Sequence, residues 1–394
     1  MKRIIFITIA LAAMSIGCTK SNLVSVSKGQ KTPIVFETYN GKTPLTKATE
    51  VTESTFEAST ESAPAFRALA MLPTGAGYMD EPVWYVPAVE DNPDTEDKDE
   101  TMAAYWDYDG VTYWPSDGSS LTFAAYGLNV PEDNILLSSN TLTYTVPEYA
   151  ADQADLIVAT PVTQDATTGG GVVSLVFKHM LSRIGFTLQT SSNGTNVTVK
   201  TIELHGNFKS SGEVDLTAEA PSIASTVNSA TTSCYSLFKT GDYFETLSTD
   251  DPAAGVKIYP RYVSDGVGGY VTVDDESDRF MMIIPGEITE TVDTDDIDKD
   301  KVTDEKADPY IKVVYQIAGA SDQLALIPLK RSIVNADGEV TGTENWNFEA
   351  GKAYEFVFTV SVTKIEFTGS VVDWDENIDD NDDENDNDDI IVRP

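Results

Sequence analysis

Two histidines, His179 and His205, and two cysteines, Cys18 and Cys234, are all the imidazole and thiol chemistry in the 394 residues. A Ser-His-Asp triad or a multi-histidine metal site has almost nothing to be built from. The chain also lacks His-Glu-x-x-His, Gly-x-Ser-x-Gly, a Walker loop and Cys-x-x-Cys. His179 shares a strand face with Leu175 and Phe177, which fits a satisfied core or interface histidine better than a catalyst. His205, beside Gly206, falls at an expected strand end. Carboxylates are the opposite case, with 64 Asp and Glu. A glycosidase draws its acid and base from distant strands, so its pair leaves no local spacing and that reading stays open. The acids from Asp379 to Asp389 offer hard oxygen ligands for calcium. They lack the central glycine and terminal glutamate of an EF-hand loop, which favours a solvated spacer.

Aromatic residues cluster early, as Trp84, Tyr85, Tyr105, Trp106, Tyr108, Tyr113 and Trp114. Rings of this kind stack on apolar sugar faces, and Trp84 and Trp106 are the candidates for such a platform. Packing in a first core is the plainer reading for most of the cluster.

The compartment is set by the first residues. Lys2 and Arg3 precede an apolar run from Ile4 to Met14, broken only by Thr8, and then Ser15-Ile16-Gly17-Cys18. The run is too short to span a bilayer as a permanent helix, and small residues before a cysteine mark signal-peptide cleavage with lipid attachment at Cys18. An ordinary signal peptide with an incidental cysteine is the alternative; Gly17 next to Cys18 favours the lipobox. Loss of residues 1–17 removes Lys2 and Arg3 and no acid, which takes the net charge from -38 to -40. That charge repels phosphate backbones and anionic lipid heads, so nucleic acid is excluded as a partner and membrane contact is expected only through the acyl anchor. With Cys18 acylated, Cys234 stands alone, which excludes an intramolecular disulfide and, on the same count, a metal cluster. No cofactor is expected beyond the covalent lipid.

The elements that must position these residues read as strands. Leu142, Tyr144 and Val146 alternate with polar residues, as do Val173, Leu175 and Phe177, then Ile184, Phe186 and Leu188. Further runs follow at Phe280 to Ile284, Ile311 to Ile317 and Tyr354 to Val362. Asp109-Gly110, Asp117-Gly118, Asn193-Gly194, Asp337-Gly338 and Thr168 to Gly171 punctuate them. Many short strands without a sustained helical period predict an all-β protein of antiparallel sandwiches. The acidic stretches Glu90 to Glu100 and Asp293 to Asp300 read as exposed loops, and the 11 acids between Asp373 and Asp389 as an extended tail.

Several segments, taken in order, resemble the fimbrillins, the lipoprotein-precursor pilins and pilin-like adhesins called type V pilins. They are the lipobox at Cys18, Ile34-Val35-Phe36-Glu37-Thr38 followed by Leu45-Thr46-Lys47-Ala48-Thr49, and Tyr113-Trp114-Pro115 leading into Leu121 to Tyr126. Leu175 to Ile184, Phe348 to Tyr354 and Val371-Val372-Asp373-Trp374 complete the set. The resemblance implies two tandem transthyretin-like, Greek-key sandwiches on a surface fibre at the outer membrane. It also implies that a maturation protease removes an N-terminal strand, here Ile34, Val35 and Phe36, whose groove then accepts a strand from a neighbouring subunit. The family's processing follows an arginine; here Lys47 stands at that place, and Arg67 is the first arginine after Cys18.

The chain accordingly divides into a signal peptide (1–17), a lipidated segment with the removable strand (18–47), an N-terminal sandwich (48–181), a C-terminal sandwich (182–374) and an acidic tail (375–394). Four apolar side chains filling such a groove would supply about 6–12 kcal/mol before entropy costs. The tail is a poor donor strand, with Ile390 to Val392 its only apolar patch, which suits a tip or accessory subunit. The function expected is structural or adhesive rather than enzymatic, with other subunits, the protease and a surface glycan or protein as partners. The alternative is a monomeric glycan-binding surface lipoprotein using Trp84 and Trp106.

Overall fold

A computed structural model describes residues 31–39, 56–88, 104–191, 195–224, 231–247, 250–273, 280–288, 309–334, 340–361 and 365–373. The chain is all-β. No helix among the described residues is long and apolar enough to cross a membrane.

In the first half the strands are β1 (Val35–Tyr39), β2 (Phe66–Met71), β3 (Gly77–Val86), β4 (Tyr105–Tyr108), β5 (Leu121–Gly127), β6 (Ile135–Ser138), β7 (Thr141–Thr145), β8 (Ile157–Ala159), β9 (Val162–Gln164) and β10 (Val172–His179). One sheet runs β1-β10-β8-β5-β2-β3-β4, with β9 also paired to β5. Period-two alternation decides its faces. Phe66, Ala68 and Ala70 of β2, Leu121, Phe123 and Ala125 of β5, and Val173, Leu175 and Phe177 of β10 enter one core, to which β1 adds Phe36 and the preceding Ile34. The other face of β2 and β5 carries Leu69, Met71, Ala124 and Tyr126 into a second, larger core. Both faces of the sheet centre are therefore covered, which is why β2 and β5 read as nearly continuous apolar runs.

The second half begins with β11 (Ser182–Thr190), β12 (Val197–Lys209), β13 (Ser211–Asp215), β14 (Ile223–Ala224) and β15 (Thr231–Ser236). β11 lies between Val256–Lys257 and Lys352–Val360, and the latter strand pairs onward to Ile365–Asp373. A second sheet runs from β15 through β12 to Tyr310–Ile317 and Gln323–Pro328. The expected boundary at residues 181 and 182 falls in the turn between β10 and β11. Pairing crosses it all the same, since β7 of the first half joins β13 of the second, Thr141 to Thr145 against Asp215 to Ser211.

Two details differ from expectation. β11 was expected to be half-buried, yet Arg183 and Thr187 on its polar face are 5% and 8% exposed. The two strands that pair with β11 at Gly185 cover that face with their side chains: the Arg183 guanidinium lies 4.3 Å from the centre of the Phe280 ring, and the Thr187 hydroxyl donates to Glu355. His205 lies inside the 13-residue strand β12 rather than at its end. The acidic stretches, the turns at Asn193-Gly194 and Asp337-Gly338, the acidic tail, Cys18 and Lys47 all fall outside the described residues.

Candidate functional site

Ile34-Val35-Phe36 forms the border of the first core. β1 lies parallel to β10, in register from Val35 opposite Val172 to Tyr39 opposite Val176. Its other side is closed by the segment after β4: the Ile34 N–H donates to Thr112 O at 2.9 Å and the Trp114 N–H to Thr32 O at 3.0 Å. The segment thus lies between two stretches of backbone distant in sequence, bonded through Thr32 and Ile34 to the segment after β4 and through the five residues of β1 to β10.

Side chains hold it there. Ile34 and Phe36 are each 2% exposed, while Val35 between them is only half-buried. The Phe36 ring meets Phe66, Tyr108 and Phe123 edge-on at 6.2, 5.9 and 6.1 Å, the preferred geometry for aromatic pairs. The Tyr108 hydroxyl donates to the Ile34 carbonyl at 3.0 Å and accepts from the Thr112 N–H at 3.2 Å. Burial pushes the Tyr108 phenol above its ordinary pKa, so it remains a neutral donor. Beneath the slot, Trp114 Nε1 donates to Gly171 O at 3.1 Å. Gly171 has φ +89°, and a Cβ there would lie 2.9 Å from Thr32 Cγ2. Glycine is what lets the chain pass beneath the strand.

Lys47 lies outside the described residues, whereas Arg67 is in mid-strand β2, paired with Pro82 on one side and Tyr126 on the other. Its side chain bonds Asp80 at 2.5 Å. A protease binds its substrate as an extended strand of its own, so cutting at Arg67 requires pulling an interior strand from the sheet.

Trp84 and Trp106 do not form one platform. Trp84 stands opposite Asp107, and Tyr85 stands opposite Trp106, so the two indoles leave opposite faces of the β3–β4 pair. Trp106 packs against Phe56, Phe66 and Tyr85 at 5.9, 5.3 and 5.2 Å. Both are part-buried at the margin of the first core, the plainer role.

His179 Nδ1 lies 2.8 Å from the wholly buried Asp155 carboxylate, an arrangement that ties β10 to the segment before β8. The lone thiol has a histidine and a carboxylate beside it in the fold. Cys234 stands directly across the ladder from His205, and Glu203, His205 and Cys234 bring their ligand atoms within 4.8 Å of one another. Neither this grouping nor the Tyr108 anchor is visible along the sequence, because each joins residues on separate strands.

The fimbrillin-like family profile matches residues 71–374. A solved fimbrial protein from Bacteroides vulgatus is 17% identical, with a TM-score of 0.47 over 87% of this chain and 99% of that one. A protein assigned to cell adhesion from Bacteroides uniformis is 16% identical, with a TM-score of 0.43 over 87% of this chain and 98% of its own. No curated protein matches the chain.

Proposed function

The chain belongs to the fimbrillin-like family, and on that premise we propose that it is a structural or adhesive subunit of a cell-surface fimbria, built as tandem transthyretin-like sandwiches. It is exported as a lipoprotein precursor acylated at Cys18, and a protease cuts after Lys47. β1 then leaves, and a strand from a neighbouring subunit takes its place.

The observation that carries this reading is the way β1 is held. It is a terminal strand of its sheet, it supplies two fully buried side chains, and a cut after Lys47 severs it from every other described strand. Ile34 and Phe36 contribute about 3–6 kcal/mol of burial, half of what four groove-filling side chains would give. That holds β1 in the precursor yet leaves it removable once the covalent link is gone. The vacated slot then presents unpaired backbone on β10 together with the rings of Phe66, Tyr108 and Phe123. Such an edge recruits an extended strand: backbone hydrogen bonds supply affinity, and alternate side chains supply register. An acidic tail with little apolar content suits a subunit that accepts a strand better than it donates one, hence a tip or accessory position.

The direct test is N-terminal sequencing of the protein recovered from assembled fibres on intact cells. A start at Ala48 is expected. A start at Cys18 in every assembled copy refutes assembly by strand replacement.

A further inference from the structure

We propose that Glu203, His205 and Cys234 form a binding site for a divalent transition metal of the zinc class, clamping β12 to β15. Glu203 and His205 are two residues apart on one strand and so share a face. Across the ladder on one side, His205 faces Cys234 and Glu203 faces Ser236. On the other side, His205 faces Tyr310 and Glu203 faces Lys312. The carboxylate, imidazole and thiol atoms all lie within 4.8 Å of one another. A tetrahedral zinc ion with bonds of about 2.0–2.3 Å needs its ligands about 3.3–3.7 Å apart, so side-chain torsions alone can close the site.

The surroundings favour a rigid site. The His205 ring stacks on Tyr310 with centroids 4.6 Å apart and planes 5° from parallel, which fixes the plane in which its nitrogens point. The ladder shifts register between His205 and Phe208, and bulges of this kind re-aim side chains. At Gly206, within that bulge, a Cβ would lie 2.6 Å from Ile288 Cγ2, so this backbone is pressed against the core. His205 Nε2 and Glu203 Oε2 are 2.8 Å apart; the metal binds between them to the neutral imidazole, whose one remaining proton sits on Nδ1, any second proton passing to solvent. Cys234 binds as thiolate after releasing its proton to solvent. Lys312, whose Nζ lies 3.1 Å from Glu203 Oε2, remains beside the carboxylate. Side-chain exposures of 21% for Glu203 and 15% for His205 give the ion a path in and leave water as the fourth ligand. Thiolate with imidazole selects zinc or cobalt over calcium or magnesium, which take oxygen ligands.

The experiment is a Co(II) titration of the full chain carrying Cys18→Ser, which leaves Cys234 as the sole thiol. The site gives a thiolate-to-cobalt charge-transfer band and the visible bands of a tetrahedral ion at one equivalent, and Zn(II) displaces both. Cys234→Ala abolishes the charge-transfer band and weakens binding at least about 100-fold; His205→Gln, which retains a polar side chain there, weakens it at least about 10-fold. Circular dichroism establishes that each variant is folded, and a misfolded Cys234→Ala leaves the decision to His205→Gln. An octahedral spectrum without the charge-transfer band, as the tail carboxylates alone would give, overturns the proposal. So does a titration that folded His205→Gln leaves unchanged.

Discussion

Phe36→Ala separates a strand that is anchored from one that merely lies alongside the fold. The Phe36 ring is 2% exposed and is surrounded by Phe66, Tyr108 and Phe123. Truncating such a ring costs about 3–5 kcal/mol through lost transfer energy and the cavity left behind. After the chain is nicked at Lys47, the N-terminal fragment is held by noncovalent contacts through β1. At about 1.4 kcal/mol per tenfold change, losing 3 kcal/mol weakens its retention by at least about 100-fold. The assay is limited digestion with a lysine-specific protease under native conditions, followed by size-exclusion chromatography at several dilutions. The wild-type fragment co-elutes with the body, whereas the Phe36→Ala fragment separates at far higher protein concentration. Equal retention of the two fragments would show that the aromatic slot does not hold β1, and the energetic argument would fail.

Three further outcomes follow from named contacts. Tyr108→Phe removes the hydroxyl that donates to the Ile34 carbonyl, which costs about 1–2 kcal/mol and speeds fragment release about 5- to 30-fold in the same assay; an unchanged rate contradicts the anchoring role. Arg67→Gln leaves the N-terminus of the processed product at Ala48 because Arg67 is paired on both sides in β2, so its mass changes only by the substitution itself, whereas Lys47→Gln eliminates that product; mass spectrometry of material from the cell surface reads both. Burial raises Tyr354 to about 12 and pushes Tyr144 and Tyr235 upward as well. All three phenols stay neutral in the fold and ionise near about pH 10 when unfolded, so their stabilisation is complete below that pH and is lost as pH rises through 12 and beyond. A urea midpoint that stays constant from about pH 9 to pH 12 contradicts this.

Local chemistry was legible and long-range pairing was not. Alternation at Val173, Leu175 and Phe177 showed which face of β10 is buried, and the same logic placed Ile34 and Phe36 on one side of a short strand. Asp109-Gly110 and Asp117-Gly118 marked turns, and Gly110 and Gly118 adopt φ of +76° and +80° there. A period of two names a face but carries no address for its partner. Nothing near Ile34 indicates that β1 lies parallel to β10 or that Thr112 to Trp114 closes its other side. The polar face of β11 is covered for a related reason: Phe280 and Glu355, on the two strands paired with β11 at Gly185, close over Arg183 and Thr187, and alternation along β11 does not show such neighbours. The aromatic cluster read as core for the most part, with a sugar platform at Trp84 and Trp106 as the alternative, and register sends those two rings to opposite faces.

The central claim is that β1 is a replaceable part whose loss creates a site for another strand. It is tested most directly by the mass distribution, in analytical ultracentrifugation, of a chain beginning at Ala48, with and without a synthetic peptide of residues 31–39. Uptake of one peptide per chain into the slot left by β1 is expected, and any self-association of the truncated chain through that slot is then suppressed. A chain from Ala48 that stays folded and monomeric at every concentration, and takes up no peptide, would contradict it.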